Sequence, residues 1–498
     1  MMNRKRITLN IVFSVIQTAF IGITYFFLYR YMLQYLGEKE MGVWAIVLSV
    51  SSVANIANMG IGTSVVRLTA KFTVANDKVS INKLIHTALV FLGMTFLGIA
   101  IVLYVVSPYW LGVVIQQDFY QTAIMLIPYS LAGLWINAIS GVLLSCLDGF
   151  QKNFIRSILY VVSCLLLLLL SFYFVPKYGI LGIAFAQLAQ AVFLFFSALI
   201  TLKLVFREMK IFPLRWDKVI FKNIFSIGMK EQVISLCQLC FDPLTKSMLG
   251  SFGSLSLVTY YEMANRLVLQ MRSLLVSANQ VFIPVFATID EKSSREQKHA
   301  LFQKVFSLNL VSTLLWAVLL AGTLIPVSHL WIGSFQIDFL ASGLCLIIAY
   351  SFNILCSPAY FANAGAGKLN DNVIGNVIIC LVNLLLGYVL GFFFGGYGVL
   401  VAWSLALAIG SQYIITVYNR KHNLPIQTLF SRVEFWLLIL GLVSTVLLNY
   451  IFLRFPDLSI LQMLTISLLL FGVCCILPVT RHPVLRSLVN KSKLKFSS

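Results

Sequence analysis

The 498-residue chain is short of charge: Asp, Glu, Lys and Arg together make up 11% of it, and only 17 residues are acidic. A soluble domain carries roughly 25% charged residues, so a water-facing globular surface is excluded. Cysteine is also sparse, with nine residues, nearly all inside apolar runs. The one metal-like spacing, Cys237-x-x-Cys240, has no second pair and no neighbouring His, so packing explains it better than a metal or redox role. Paired carboxylates on a loop, a nucleophile elbow and a phosphate-cradling glycine loop are all missing, and the connections on one side are short. A membrane enzyme such as a glycan polymerase is therefore disfavoured, and no catalytic residue, metal or cofactor is expected. Alternating ten-residue strands are absent too, which argues against a membrane barrel.

What remains is long and apolar. Hydrophobic residues make up 60% of the chain, and mean hydropathy is +0.92. Spans of about 18 residues or more, enough to cross roughly 30 Å of hydrocarbon, recur throughout. The expected segments are 8–30, 41–66, 84–106, 121–146, 154–175, 180–202, 224–248, 256–285, 305–331, 339–362, 372–394, 397–418, 433–453 and 459–479. The first is too long for a cleaved signal and reads as a retained anchor. The chain is thus expected to be an all-α polytopic membrane protein with about 14 transmembrane helices. Its net charge of +19 is distributed by topology. Arg4-Lys5-Arg6, the 203–222 stretch and the tail from Arg481 fall on one side of the membrane, while the other holds only Lys39, Lys177 and Arg454. By the positive-inside rule both termini are cytoplasmic, and nucleic acid is not an expected partner.

The spans divide as six, six and two. Arg30, Gly37 and Trp44 are echoed by Lys246, Gly253 and Tyr260 at an offset of 216, as Gly149 and Lys152 are by Gly365 and Lys368. Tyr178-Gly179-Ile180-Leu181 matches Tyr397-Gly398-Val399-Leu400 at an offset of 219. A duplicated six-helix unit follows, both copies having the same orientation. The expected organisation is two pseudo-symmetric lobes, 1–204 and 223–420, a cytoplasmic linker at 205–222, and two further helices with a basic tail at 421–498. Ser107-Pro108 is expected to end the third span. Pro128, Pro243, Pro284, Pro326 and Pro358 are either hinges or fixed kinks.

Charges inside the spans cluster between Gly228 and Val281. Lys230, Glu231, Asp242 and Lys246 lie on one helix, and Glu262, Arg266 and Arg272 on the next. Glu231, Ser235, Gln238, Asp242 and Lys246 share about 80° of arc. Glu262, Arg266, Ser273, Ser277 and Gln280 share about 60°, with Arg272 off that line. About five such charges facing lipid would cost more than about 12 kcal/mol, comparable with a whole domain's stability. They are therefore expected to line a shared polar interior, either as a pathway or as static ion pairs.

The pattern Tyr35-Leu36-Gly37, Gly42-Val43-Trp44 and Gly60-Ile61-Gly62-Thr63-Ser64-Val65-Val66-Arg67 resembles that of Wzx-type polysaccharide (O-antigen) flippases. These belong to the superfamily of multidrug, oligosaccharidyl-lipid and polysaccharide exporters, and the six-plus-six-plus-two layout extends the resemblance over nearly the whole chain. The resemblance implies a protein of the bacterial cytoplasmic (inner) membrane. It would serve lipopolysaccharide or other surface-polysaccharide biosynthesis by moving an undecaprenyl-diphosphate-linked oligosaccharide outward by alternating access, with a polysaccharide polymerase as a candidate partner. It further implies a cationic cavity, matched here by Arg30, Lys246 and Arg266, then Lys230 and Arg272. Arg30 lies off the Asn10–Ser14–Gln17 face of an ideal helix, so its place rests on the repeat with Lys246 and requires a kink. Gln238, Asn265, Gln280, Tyr260 and Tyr261 offer partners for sugar hydroxyls. Glu231, Asp242 and Glu262 are expected to pair with the cations in the empty state, and Glu231 or Glu262 could couple transport to protons. The alternatives are a cation-coupled multidrug antiporter on the same architecture, which should carry an acid within the first-half spans, and a non-transporting scaffold subunit.

Overall fold

The structure, a computed structural model, describes residues 4–210, 213, 215–280, 295–365, 369–423, 432–455 and 458–481. Within these, only the backbone is described for 4–12, 14–15, 50–61, 63, 223, 225–236, 238–240, 277–278, 280, 295–301, 365, 432–433 and 477–481. Pro284, Lys368 and the tail beyond Arg481 lie outside the described residues.

Twelve helices follow one another: α1 (Arg4–Val74), α2 (Lys78–Val114), α3 (Gln117–Gly149), α4 (Asn153–Tyr178), α5 (Ile180–Val205), α6 (Lys218–Phe252), α7 (Leu255–Gln280), α8 (Arg295–Trp331), α9 (Ile337–Gly365), α10 (Asn370–His422), α11 (Arg432–Arg454) and α12 (Ile460–Arg481). Gly37 breaks α1 (φ +78°) and Gly395 breaks α10 (φ +63°), giving fourteen helical segments and no strand among the described residues. Among the described residues, eight helices are long and apolar enough to cross a bilayer. This is a multi-pass, all-helical membrane protein.

The chain forms two compact units, Met1–Thr259 and Tyr260–Ser498. In the first, α1 packs on α3, α4 and α6, and α3 on α5. Leu84, Ile85, Leu134, Leu143, Leu147, Leu202 and Ile224 fill one core there. In the second, α8, α9 and α10 enclose Phe302, Phe306 and Ile414, while α11 and α12 pack on α8 through Leu437 and Cys474.

The internal repeat holds one offset from end to end. α6 ends before Gly253, 216 residues after the break at Gly37. The final match requires a correction. The left-handed glycine between α4 and α5 is Gly179 (φ 56°, ψ −135°), and its counterpart is Gly395 (φ 63°, ψ −151°), not Gly398. Gly398 instead matches Gly182. A Cβ on Gly182 would lie 2.4 Å from the Phe174 carbonyl oxygen, and one on Gly398 2.0 Å from that of Leu390, again 216 residues on. At these two pairs the sign of the backbone angle and the close approach are what the offset of 216 preserves, and both favour glycine, whereas the neighbouring tyrosines shifted by three. Polar chemistry has diverged at the equivalent places. Arg156 pairs with Asp148, but its counterpart Asn372 accepts from Asn363 Nδ2 at 3.0 Å and donates to the Tyr360 carbonyl at 3.0 Å.

Pro108 does not end the third span; α2 continues through it to Val114. A proline leaves the carbonyl four residues earlier without its helical donor. Here that carbonyl is Tyr104 O, and the Ser107 hydroxyl donates to it at 2.9 Å. The same remedy recurs across helices. Pro326 strands Gly322 O, which accepts from Ser467 Oγ at 2.9 Å. Pro358 strands Ile354 O, which accepts from Asn309 Nδ2 at 2.7 Å and Ser357 Oγ at 2.6 Å. In hydrocarbon such replacement donors are required, and they tie these kinks to their neighbours.

Two outcomes are expected. Gly182→Ala and Gly398→Ala should each destabilise the protein by about 1–3 kcal/mol, because backbone must move; both should lower the melting temperature in detergent. Asp217 caps α6 by accepting from the Val219 and Ile220 N–H groups at 3.0 and 3.1 Å. The Ile220 N–H first, then Lys83, holds its carboxyl below the usual aspartate range. A depressed folded pKa stabilises above the unfolded pKa and is lost as pH falls through the folded one. Asp217→Ala should cost about 1 kcal/mol at neutral pH, and a pH series of melting curves should show the difference shrinking below about pH 4.

Candidate functional site

In the first unit the sequence places Arg30 and Lys246 as cations and Asp242 as a partner. Lys246, on α6, is buried and its Nζ lies 2.7 Å from Asp242 Oδ2, one turn earlier on the same helix. Burying an ammonium without a counter-charge would cost several kcal/mol, so the i, i+4 spacing is what permits it. Arg30 is half-buried on α1. Among the described residues α1 departs from helical φ/ψ at Gly37, C-terminal to Arg30. Trp44 is buried against Tyr29, ring centroids 5.4 Å apart, and its Nε1 donates to Gln187 Oε1 at 3.3 Å. The side chains of Lys230, Glu231 and Gln238 lie outside the described residues.

In the second unit Arg266 Nε donates to Glu262 Oε1 at 2.7 Å, also i, i+4. Glu262 is buried, whereas about a third of Arg266 is exposed (34%). Arg272 is placed differently. Its Nη2 donates to Asn353 Oδ1, its guanidinium sits 5.1 Å from the Tyr350 ring centroid, and its buried Nε has no hydrogen-bond partner. Among the described residues it has no carboxylate neighbour. Tyr350 OH donates to Asn265 Oδ1 at 3.3 Å, and Asn353 Nδ2 donates to Ser411 Oγ at 3.2 Å. Asn265, Tyr350, Arg272, Asn353 and Ser411 thus form one polar chain linking α7, α9 and α10. The Tyr350 ring also meets Trp403 edge-on at 5.3 Å, and Tyr261 meets the same indole at 6.3 Å.

Arg272, which lies off the helical stripe, is therefore joined to α9 and, through Asn353, to α10. Tyr350, Asn353 and Ser411 were missed because each is uncharged and lies in a predominantly apolar span. The i, i+3 spacing of Tyr350 and Asn353, which puts both on one face of α9, is the signal that could have found them. Tyr260 and Tyr261 are buried. The Gln280 side chain lies outside the described residues. A neutral cluster accompanies the site: Asn279 Nδ2 donates to Asn309 Oδ1 at 2.7 Å and to Ser357 Oγ at 2.9 Å. Neutral donors and acceptors around an arginine leave its charge available to an anion while fixing its direction.

The MatE family profile matches residues 15–175. No curated protein matches the sequence closely enough to count as a relative. Among solved structures the fold is similar to that of the lipid II flippase MurJ in an inward closed conformation, with a TM-score of 0.73 at 16% identity over 96% of this chain and 100% of that one. It is also similar to an inward-facing MATE-family multidrug resistance transporter of the MOP superfamily, with a TM-score of 0.70 at 15% identity over 83% and 98%. A MOP-superfamily transporter from Pyrococcus furiosus, described as having a binding pocket of reversed polarity, gives 0.53 at 14% over 84% and 94%. The chain has the fold of these transporters.

Tyr350→Phe removes the bond to Asn265 but keeps the ring beneath Arg272, and should cost about 0.5–1.5 kcal/mol. Tyr350→Leu removes both contacts and should cost more. Paired thermal melts of the two variants in detergent check the order.

Proposed function

We propose that the protein is a flippase that carries an undecaprenyl-diphosphate-linked oligosaccharide, the repeat unit of an O-antigen or other surface polysaccharide, across the bacterial cytoplasmic membrane by alternating access. The observation that carries this reading is Arg272, a cation on α7 whose Nη2 donates to an amide, whose guanidinium lies by an aromatic ring and whose Nε is buried without a hydrogen-bond partner. Lys246 and Arg266 already have carboxylates; in the second unit an entering diphosphate competes with Glu262 for Arg266 but meets Arg272 directly. Charge-assisted bonds from arginine to phosphate are strong and directional. Asn265, Asn353, Tyr350 and Trp403 would then take sugar hydroxyls and ring faces, while Arg30, Lys230, Gln238 and Gln280 are further candidates to line the path. The lipid II flippase's fold supports a lipid-linked substrate.

A second reading, a cation-coupled multidrug antiporter, is favoured by the MatE match and the MATE-like fold. Against it, the described carboxylates of α1 to α5 lie at the Gly37 break (Glu38, Glu40), in the cap of α2 (Asp77), in the first turn of α3 (Asp118) and in its last (Asp148). None is placed mid-span, where a coupling acid would be expected.

The test is reconstitution with a labelled polyprenyl-diphosphate oligosaccharide. Arg272→Ala, Lys246→Ala and Arg266→Ala should each slow flipping, Arg272→Ala by roughly ten- to a hundredfold, from the loss of a charge-assisted bond of about 1.5–3 kcal/mol. Full transport by all three correctly inserted variants would refute the reading. Export of a cationic drug down a proton gradient would favour the antiporter.

A further inference from the structure

The described parts of the connection between α5 and α6, 206–210 and 215–217, expected as a basic linker, form a strap along one face of α2. Lys78, Asn82, Lys83, His86 and Thr87 supply that face at helical spacing. Lys78 Nζ pairs with Glu208 at 2.5 Å. Asn82 Nδ2 donates to the Glu208 carbonyl at 3.1 Å, and Asn82 Oδ1 accepts from the Lys210 N–H at 2.8 Å. The Lys210 carbonyl lies 2.5 Å from His86 Nε2, which must carry its proton to donate there. The Asp217 N–H donates to Thr87 Oγ1 at 3.1 Å, and Lys83 reaches the Asp217 carboxylate at 3.0 Å. Phe206 and Met209 are buried in the core of the unit. Both acids of the strap are therefore engaged by lysines of α2.

Outward, the strap and the first turns of α6 present Arg207, Lys210, Arg215, Lys218 and Lys222, all exposed and without a carboxylate partner among the described residues. Interleaved with them, Leu204, Trp216 and Val219 are exposed at 72, 49 and 70%. The depth is set by the helices: the strap begins where α5 ends and lies beside the start of α2, two helices of membrane-spanning length. Unmatched cations with exposed tryptophan and valine at the end of spanning helices lie where headgroups meet acyl chains.

We propose that this strap is a docking surface for anionic phospholipid headgroups. The lipid phosphates serve as counter-ions to Arg207, Lys210, Arg215, Lys218 and Lys222, and Trp216 and Val219 enter the boundary beneath them. The hydrogen bonds to α2 fix the row of cations in advance, so lipid binding need not order a loose loop. Each lysine or arginine held near an anionic surface strengthens binding by roughly fivefold. This surface stands independently of which substrate the protein carries.

The full-length protein in detergent, offered an equimolar mixture of phosphatidylglycerol and phosphatidylcholine, should retain phosphatidylglycerol by native mass spectrometry. Its preference should fall as salt is raised before spraying. The variant R207Q/K210Q/R215Q/K218Q/K222Q should lose at least tenfold of that preference. Equal retention by wild type and variant would overturn the proposal. Displacement of the lipid from wild type by millimolar inorganic phosphate would overturn it as well, since it would mark a free-anion site. If the variant does not fold, wild type alone decides. Hydrogen exchange at the Lys210 and Asp217 amides should slow severalfold in vesicles containing phosphatidylglycerol relative to phosphatidylcholine alone, and unchanged exchange would refute the inference.

Discussion

A polar group inside hydrocarbon has no water to turn to, and the protein itself must supply its partner. That constraint explains why Lys246 and Arg266 each have a carboxylate one turn away and why the Arg272 guanidinium rests on an amide and a phenol ring. It also explains the prolines. Three carbonyls released by ring nitrogens are each met by a hydroxyl or amide, two of them from another helix. The bonds that compensate for a broken helix also fasten it to its neighbours.

Much of the fold was legible because crossing a membrane imposes length and hydropathy on most of the spans, and those survive in composition alone. The glycines that recur at one offset were legible because glycine is hard to replace where backbone turns left-handed or helices touch. The register slip at Gly398 came from reading letters: a tyrosine beside a glycine matched by chance, while the φ angles of Gly179 and Gly395 identify the true pair. Pro108 misled for a related reason. Sequence shows that a proline cannot donate, but not that Ser107 stands ready to replace it.

The site was legible in its charges and illegible in its neutral members. Ion pairs at i, i+4 follow from helix geometry, so Asp242–Lys246 and Glu262–Arg266 could be anticipated on paper. The partners of Arg272 come from α9, and through Asn353 from α10, brought to it only by tertiary packing; the i, i+3 spacing of Tyr350 and Asn353 is the one trace they leave in sequence. The strap on α2 was hidden likewise. A polar, basic stretch reads as solvated, yet its backbone and both acids are spent on a helix more than a hundred residues away in sequence.

The paired glycines at 182 and 398 carry a consequence for how such a chain can change. Where helices meet mainly through backbone, the joint depends little on what the flanking faces display. Each copy can then exchange an ion pair for a row of amides, as at Arg156 and Asn372, and keep the same scaffold. Cargo preference and architecture are thereby free to evolve on separate positions.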